Sequence, residues 1–207
     1  RLAATTPLGR LAVAARVRRS HGVVQQVGVA ARLGDSRLDG TAHFAGGRLT
    51  AALDQLVLAP ALVRELAPAL DPGWPIRLRG TVDGPLGALD LGLHVDGGPA
   101  TAELRGQLSW PARRFRVAGH VDNLGIAVVL KRKGHVRGTL ELAGEGRIAQ
   151  GGVVGTLTLR NARGFMLTSP FYRGQADLRF SGRSVELEQA RAEVPGAKIA
   201  GRGHGAY

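Results

Sequence analysis

Residues 88–110 read ALDLGLHVDGGPATAELRGQLSW. Leu89, Leu91, Leu93 and Val95 alternate with Asp90, Gly92, His94 and Asp96. Gly97-Gly98-Pro99 interrupts, and the alternation resumes at Ala102, Leu104, Gly106 and Leu108. Residues two apart on a strand share a face. The stretch therefore reads as strand, turn and strand, with one apolar and one polar face.

The same pattern repeats in both directions. Toward the N-terminus it covers Leu11 to Val17, Val27 to Leu33, Leu38 to Phe44, Leu49 to Leu53 and Ile76 to Val82. Toward the C-terminus it covers Phe115 to Val121, Val136 to Leu142, Val153 to Leu159, Leu178 to Phe180, Val185 to Leu187 and Ala197 to Ile199. Gly46-Gly47, Asp83-Gly84, Gly97-Gly98 and Gly151-Gly152 are the expected turns. One segment, residues 59–73, breaks the period. Leu62, Val63, Leu66 and Leu70 fall at helical spacing behind Pro60, and Pro68 and Pro72-Gly73 end the run. The expectation is a mostly β, long antiparallel sheet in one elongated unit over 1–207, with one short helix near residues 60–70.

A second repeat is apolar-x-Gly: Leu38 with Gly40, Leu78 with Gly80, Leu104 with Gly106, Val117 with Gly119, Val136 with Gly138, Leu142 with Gly144, Phe180 with Gly182, and Ile199 with Gly201. Each glycine falls on the apolar face, where it costs packing and entropy. Two readings fit. Glycines let a sheet curl strongly and leave a furrow, or they let two sheets of a sandwich approach closely.

Composition narrows the chemistry. There are no cysteines, so thiol catalysis, disulfides and Cys-based metal sites are excluded. The net charge is +12 and 25 of the 28 basic residues are Arg, which suits an anionic partner and equally suits a GC-rich genome. The densest patch is Lys131, Arg132, Lys133 and Arg137. Aromatics are only 4% of the chain. Phe44, Phe115 and Phe180 keep step with the aliphatics, so they do not form stacking platforms, and no nucleic-acid role is expected. His94 with Asp96 and His120 with Asp122 read as parts of a polar face. Glu186 and Glu188 have no partner acid, and the serines lack a nucleophile-elbow context. No catalytic constellation, metal site or cofactor is expected, and the chain reads as a non-enzyme. No 18-residue apolar run is present. The first residue is Arg1 rather than Met, so an internal or C-terminal piece of a longer protein is expected.

GGRLTAALDQLVLAPALVREL (46–66), IRLRGTVDGPLGALDLGLHVDGGPATAELRGQLSW (76–110) and VPGAKIAGRGHG (194–205) together resemble the AsmA-like and TamB group of bacterial envelope proteins. The likeness is one of cadence over nearly the whole chain: a strand ending L-x-L-x-P, a short helix, then L-x-G-x-V-x-G-P-L and runs of L-x-G-x-L. The resemblance implies a U-shaped β-taco with a greasy interior, in a non-enzymatic periplasmic protein held in the inner membrane by an N-terminal anchor. It also implies phospholipid transport toward the outer membrane or, for TamB-like members, assembly of outer-membrane β-barrels with a barrel partner. On that reading the acyl chains of phospholipid run along Leu78, Val82, Leu89, Leu91, Leu93, Val95, Leu104, Leu108, Phe115, Val117, Val121, Leu140, Leu142, Leu157, Leu159, Leu178 and Phe180.

Overall fold

The computed structural model describes residues 2–6, 9–20, 23–66, 73–125, 136–149, 152–166, 169–182 and 184–206. Among the described residues fourteen strands form one sheet in strict sequence order. They are β1 (Leu2–Thr6), β2 (Gly9–Ser20), β3 (Val23–Leu33), β4 (Ser36–Ala45), β5 (Arg48–Leu58), β6 (Ile76–Pro85) and β7 (Leu89–Gly97). Then follow β8 (Ala100–Ser109), β9 (Arg114–Gly125), β10 (Val136–Ala149), β11 (Gly152–Met166), β12 (Ser169–Gly182), β13 (Ser184–Val194) and β14 (Ala197–Ala206). Every pairing is antiparallel between chain neighbours. The order is linear from β1 to β14, so the sheet is open. Such a meander follows from short connections, which place consecutive strands side by side.

The helix α1 spans Pro60–Leu66, inside the expected segment; residues 67–72, and with them Leu70, lie outside the described residues. The Val63 amide donates to the Ala59 carbonyl at 3.1 Å, so Ala59 is the cap. Its own amide donates at 3.0 Å to the hydroxyl of Ser36, which is 4% exposed at the start of β4. This bond ties the helix to the β3–β4 turn. Ser36→Ala would leave the Ala59 amide without that acceptor, and we expect a loss of about 1–2 kcal/mol, measured as a lower midpoint in urea denaturation.

Two expectations need correction. Asp83-Gly84 is not the turn. Strand β6 runs on to Pro85, and Gly84 takes φ +132° where a Cβ would lie 2.6 Å from the Ala88 oxygen. A glycine is required there by close approach to the real turn at 86–88. Gly46 and Gly47 do form a turn, both with positive φ, as a two-residue hairpin connection needs. Second, β12 starts at Ser169, well before Leu178. The register shifts between Tyr172 and Gln175, and Arg173 has φ +48°. A bulge flips the facing of everything beyond it, so strict alternation loses the first half of the strand. Strand β1 carries no alternation signal, because LAATT has a single large apolar residue.

The polar face is closed by ion pairs between neighbouring strands. Arg48 grips Asp83 with two nitrogens, and the Thr50 hydroxyl donates to the same carboxylate at 2.9 Å. The Arg48 hydrogen bond, followed by that from Thr50, holds the Asp83 carboxyl below its ordinary pKa. Arg116 meets Glu145 at 3.2 Å and Arg179 meets Glu188 at 2.5 Å. These exposed pairs each contribute little stability; they help to keep this face wet and in register.

Candidate functional site

Every residue expected to line the apolar face falls into four rows running across the sheet. The first runs Leu56, Leu78, Val95, Ala102, Val121 and Leu140. The second runs Leu53, Gly80, Leu93, Leu104, Gly119, Leu142, Leu159 and Ala176. The third is Ala51, Val82, Leu91, Gly106, Val117, Gly144, Leu157 and Leu178. The fourth passes from Leu89 through Leu108, Phe115, Gly146 and Gly155 to Phe180. Rows lie about 7 Å apart along the strands and strands about 4.8 Å apart. Four rows over β5–β12 therefore make an apolar face of about 20 by 40 Å.

This face is not sealed. Among the described residues the buried hydrophobics are Val63 and Leu89 alone. The remaining candidate lining residues are half-buried. A second sheet packed on the face would drive its leucines close to full burial. All fourteen strands belong to one sheet instead. An uncovered face on the order of 800 Å² exceeds the few hundred Å² that monomers ordinarily expose.

The glycines do not leave holes in it. A Cβ built on Gly119 would lie 2.2 Å from the Glu103 oxygen and 2.6 Å from Leu104 Cδ2. On Gly106 it would meet the Arg116 oxygen at 2.3 Å. On Gly146 it would lie 2.6 Å from the Val154 oxygen and 3.0 Å from Phe115 Cζ. The space of the missing side chain is occupied by the neighbouring strand and by the large side chain opposite. Glycine here permits close approach of neighbouring strands. Gly28 and Gly201, by contrast, have nothing within 4 Å.

Sequence alternation missed Phe171, and for a structural reason. Its ring carbons come within 3.3 and 3.4 Å of the Cβ positions of Gly138 and Gly174, which sets it against glycines of β10 and its own strand. The bulge at Arg173 hides its parity. Leu56 stands outside the Leu49-to-Leu53 alternation because the register shifts between Leu53 and Leu56.

The polar face carries the remaining candidates. His120 Nε2 lies 3.0 Å from Asp122, and His94 Nδ1 lies 3.9 Å from Glu103. Among the described residues no three His, Cys, Asp or Glu side chains are placed to hold a metal. Glu188 sits in an irregular stretch of β13 where the register shifts between Leu187 and Ala190, and it engages Arg179. Lys131, Arg132 and Lys133 lie outside the described residues. Trp74 packs its ring on the backbone of Gly98, whereas Trp110 is 61% exposed. No helix among the described residues is long and apolar enough to cross a membrane. Comparison with protein-family models, curated proteins and solved structures finds no match to this chain.

Proposed function

We propose that this chain is a segment of an AsmA-like or TamB-type bridge in a bacterial envelope, carrying phospholipid between the inner and outer membranes on a curled β-surface. The observation that carries the proposal is the uncovered aliphatic face, four rows wide and lacking charged side chains in its rows. Acyl chains suit it because they are flexible and need continuous apolar surface. Each methylene removed from water contributes about 0.8 kcal/mol. One tail spans half of a bilayer core, about 15 Å, which fits within the width of the four rows. With no hydrogen-bonding anchors in the rows, a tail is held at no fixed point and slides.

The curl into a U-shaped groove is part of this proposal. It is supported by the crowding at Gly106, Gly119, Gly146 and Gly155, where a Cβ on the apolar side would strike the next strand. It is also supported by left-handed residues at Asn123, Asn161 and Arg173, each beside a register shift in its strand. Bulges raise twist and bend strands. The protein is then a periplasmic, non-enzymatic carrier joined to the inner membrane by an anchor elsewhere in its full length. A scaffold role in outer-membrane β-barrel assembly, with a barrel protein as partner, is the second reading. It requires a free strand edge, and β1 and β14 are the outermost strands of this sheet.

Lipid separates the two. A photo-crosslinking residue at Leu91, Leu93, Leu104, Val117 or Leu140 should capture phospholipid, and one at Arg105 on the opposite face should not. Mass spectrometry of the adducts and of lipid co-purified with the protein reads the outcome. Equal labelling of both faces, or none on either, would reject lipid carriage.

A further inference from the structure

Three neighbouring hairpin ends are tied into one rim by backbone hydrogen bonds. The Trp110 amide donates to the Leu86 carbonyl at 2.9 Å, Arg113 donates to Trp110 at 3.2 Å, and Ile148 donates to Arg113 at 2.8 Å. The rim presents large apolar side chains to water: Trp110 is 61% exposed, Ile148 45% and Leu86 37%. Pro111 sets the first corner of the β8–β9 turn. Arg113 completes it at φ +51°, a left-handed conformation unfavourable for a side chain of this kind.

The rim also carries two arginines that face each other. Arg114 and Arg147 are direct register partners on β9 and β10. Like charges directly opposite one another repel. Elsewhere Arg48, Arg77, Arg116, Arg173 and Arg179 meet carboxylates on neighbouring strands. Among the described residues, Arg113, Arg114 and Arg147 meet none; the nearby acid, Glu145, is held by Arg116. Arg114 and Arg147 also line a cleft of about 610 Å³ that opens at this end of the sheet.

We infer that this rim docks on the surface of an anionic phospholipid bilayer, with a headgroup phosphate held between Arg114 and Arg147. A phosphate relieves the repulsion of two facing guanidiniums and offers each of them paired acceptors. An exposed indole beside aliphatic side chains and arginines matches the chemistry of a bilayer interface, where Trp sits at headgroup depth. Basic residues near an anionic surface strengthen such docking together. The rim adjoins the fourth apolar row, whose Leu108, Phe115, Gly146 and Gly155 line the same cleft, and the docking holds whether or not the rows carry lipid.

The test uses Trp74→Phe protein, in which Trp110 is the sole tryptophan, with vesicles of phosphatidylcholine alone or mixed with phosphatidylglycerol. Phosphatidylglycerol vesicles should shift Trp110 emission to the blue, and bromine-labelled acyl chains should quench it. Arg114→Gln with Arg147→Gln should weaken this docking at least tenfold, with a melting temperature no lower than that of the parent. The matched pair Arg79→Gln with Arg105→Gln removes the same charge and should weaken it less than threefold. Equal losses from the two pairs would mean diffuse attraction by net charge, and would overturn the inference. So would Trp110 emission that stays water-like on vesicles. Inorganic phosphate that binds the rim as tightly as vesicles do would identify a free-anion site instead. A blue shift that grows with protein concentration in the absence of vesicles would identify a second copy as the occupant. Docking is read from Trp110 and lipid carriage from photo-adducts on the apolar face, so either property can fail without the other.

Discussion

Leu104→Asp is expected to leave the protein folded and to abolish lipid capture on the apolar face. Leu104 is half-buried beside Leu93 and Gly119. Losing its partial burial costs about 1–2 kcal/mol. Because no second layer among the described residues covers the face, the new carboxylate stays hydrated in the empty protein. When a tail covers that position, the carboxylate must give up water with no partner, which costs several kcal/mol. A net loss of about 3 kcal/mol is more than a hundredfold in occupancy. Leu93→Arg should act in the same way, softened by the reach of its long stem toward water. Circular dichroism and photo-capture at Leu91 together decide the matter. An unfolded Leu104→Asp protein would mean that the face is a closed core. A folded protein that still captures lipid would remove the apolar rows from the binding role.

The second large effect lies in the glycines. Gly119→Ala should destabilise the protein by about 2–3 kcal/mol, in the range of overpacked interiors. Its methyl group would sit 2.2 Å from the Glu103 oxygen. That oxygen cannot withdraw without disturbing the β8–β9 ladder, which pairs Leu104 with Gly119 and Glu103 with His120. Gly28→Ala has no such obstacle, with nothing within 4 Å. It should be neutral or stabilising by up to about 1 kcal/mol, since alanine leaves the unfolded chain less entropy to lose. Urea denaturation of the two variants measures the contrast directly. Equal stabilities would mean that the strands do not approach at Gly119, and would remove the main support for a curled sheet.

Local physics explains which parts of this architecture could be read in advance. Alternation has a period of two, and each strand carries it alone; hence Leu91, Leu93 and Leu104 could be assigned to one face before any partner strand was known. Helical spacing behind Pro60 marked the one departure from β structure in the same local way. Composition excluded thiol and disulfide chemistry without any geometry. Register across strands is a different matter. A bulge adds one residue and reverses facing, so Phe171 and Leu56 were invisible to a pattern that assumes strict alternation. Turn position at Gly84 is not legible in the sequence, because a glycine serves a close approach to Ala88 as readily as it serves a hairpin corner.

By itself, then, the amino-acid sequence determined that the chain is built of antiparallel strands with one aliphatic and one basic, polar face, and where its helix lies. Only the tertiary structure decided that all fourteen described strands share one open sheet and that no described element covers its apolar rows. It alone set Arg114 opposite Arg147 and joined Leu86, Trp110 and Ile148 into one rim. The physical reason is range. Facing along a strand is set by neighbours two residues away, whereas coverage of a face and juxtaposition of charges depend on residues tens of positions apart, brought together only when the ladders close.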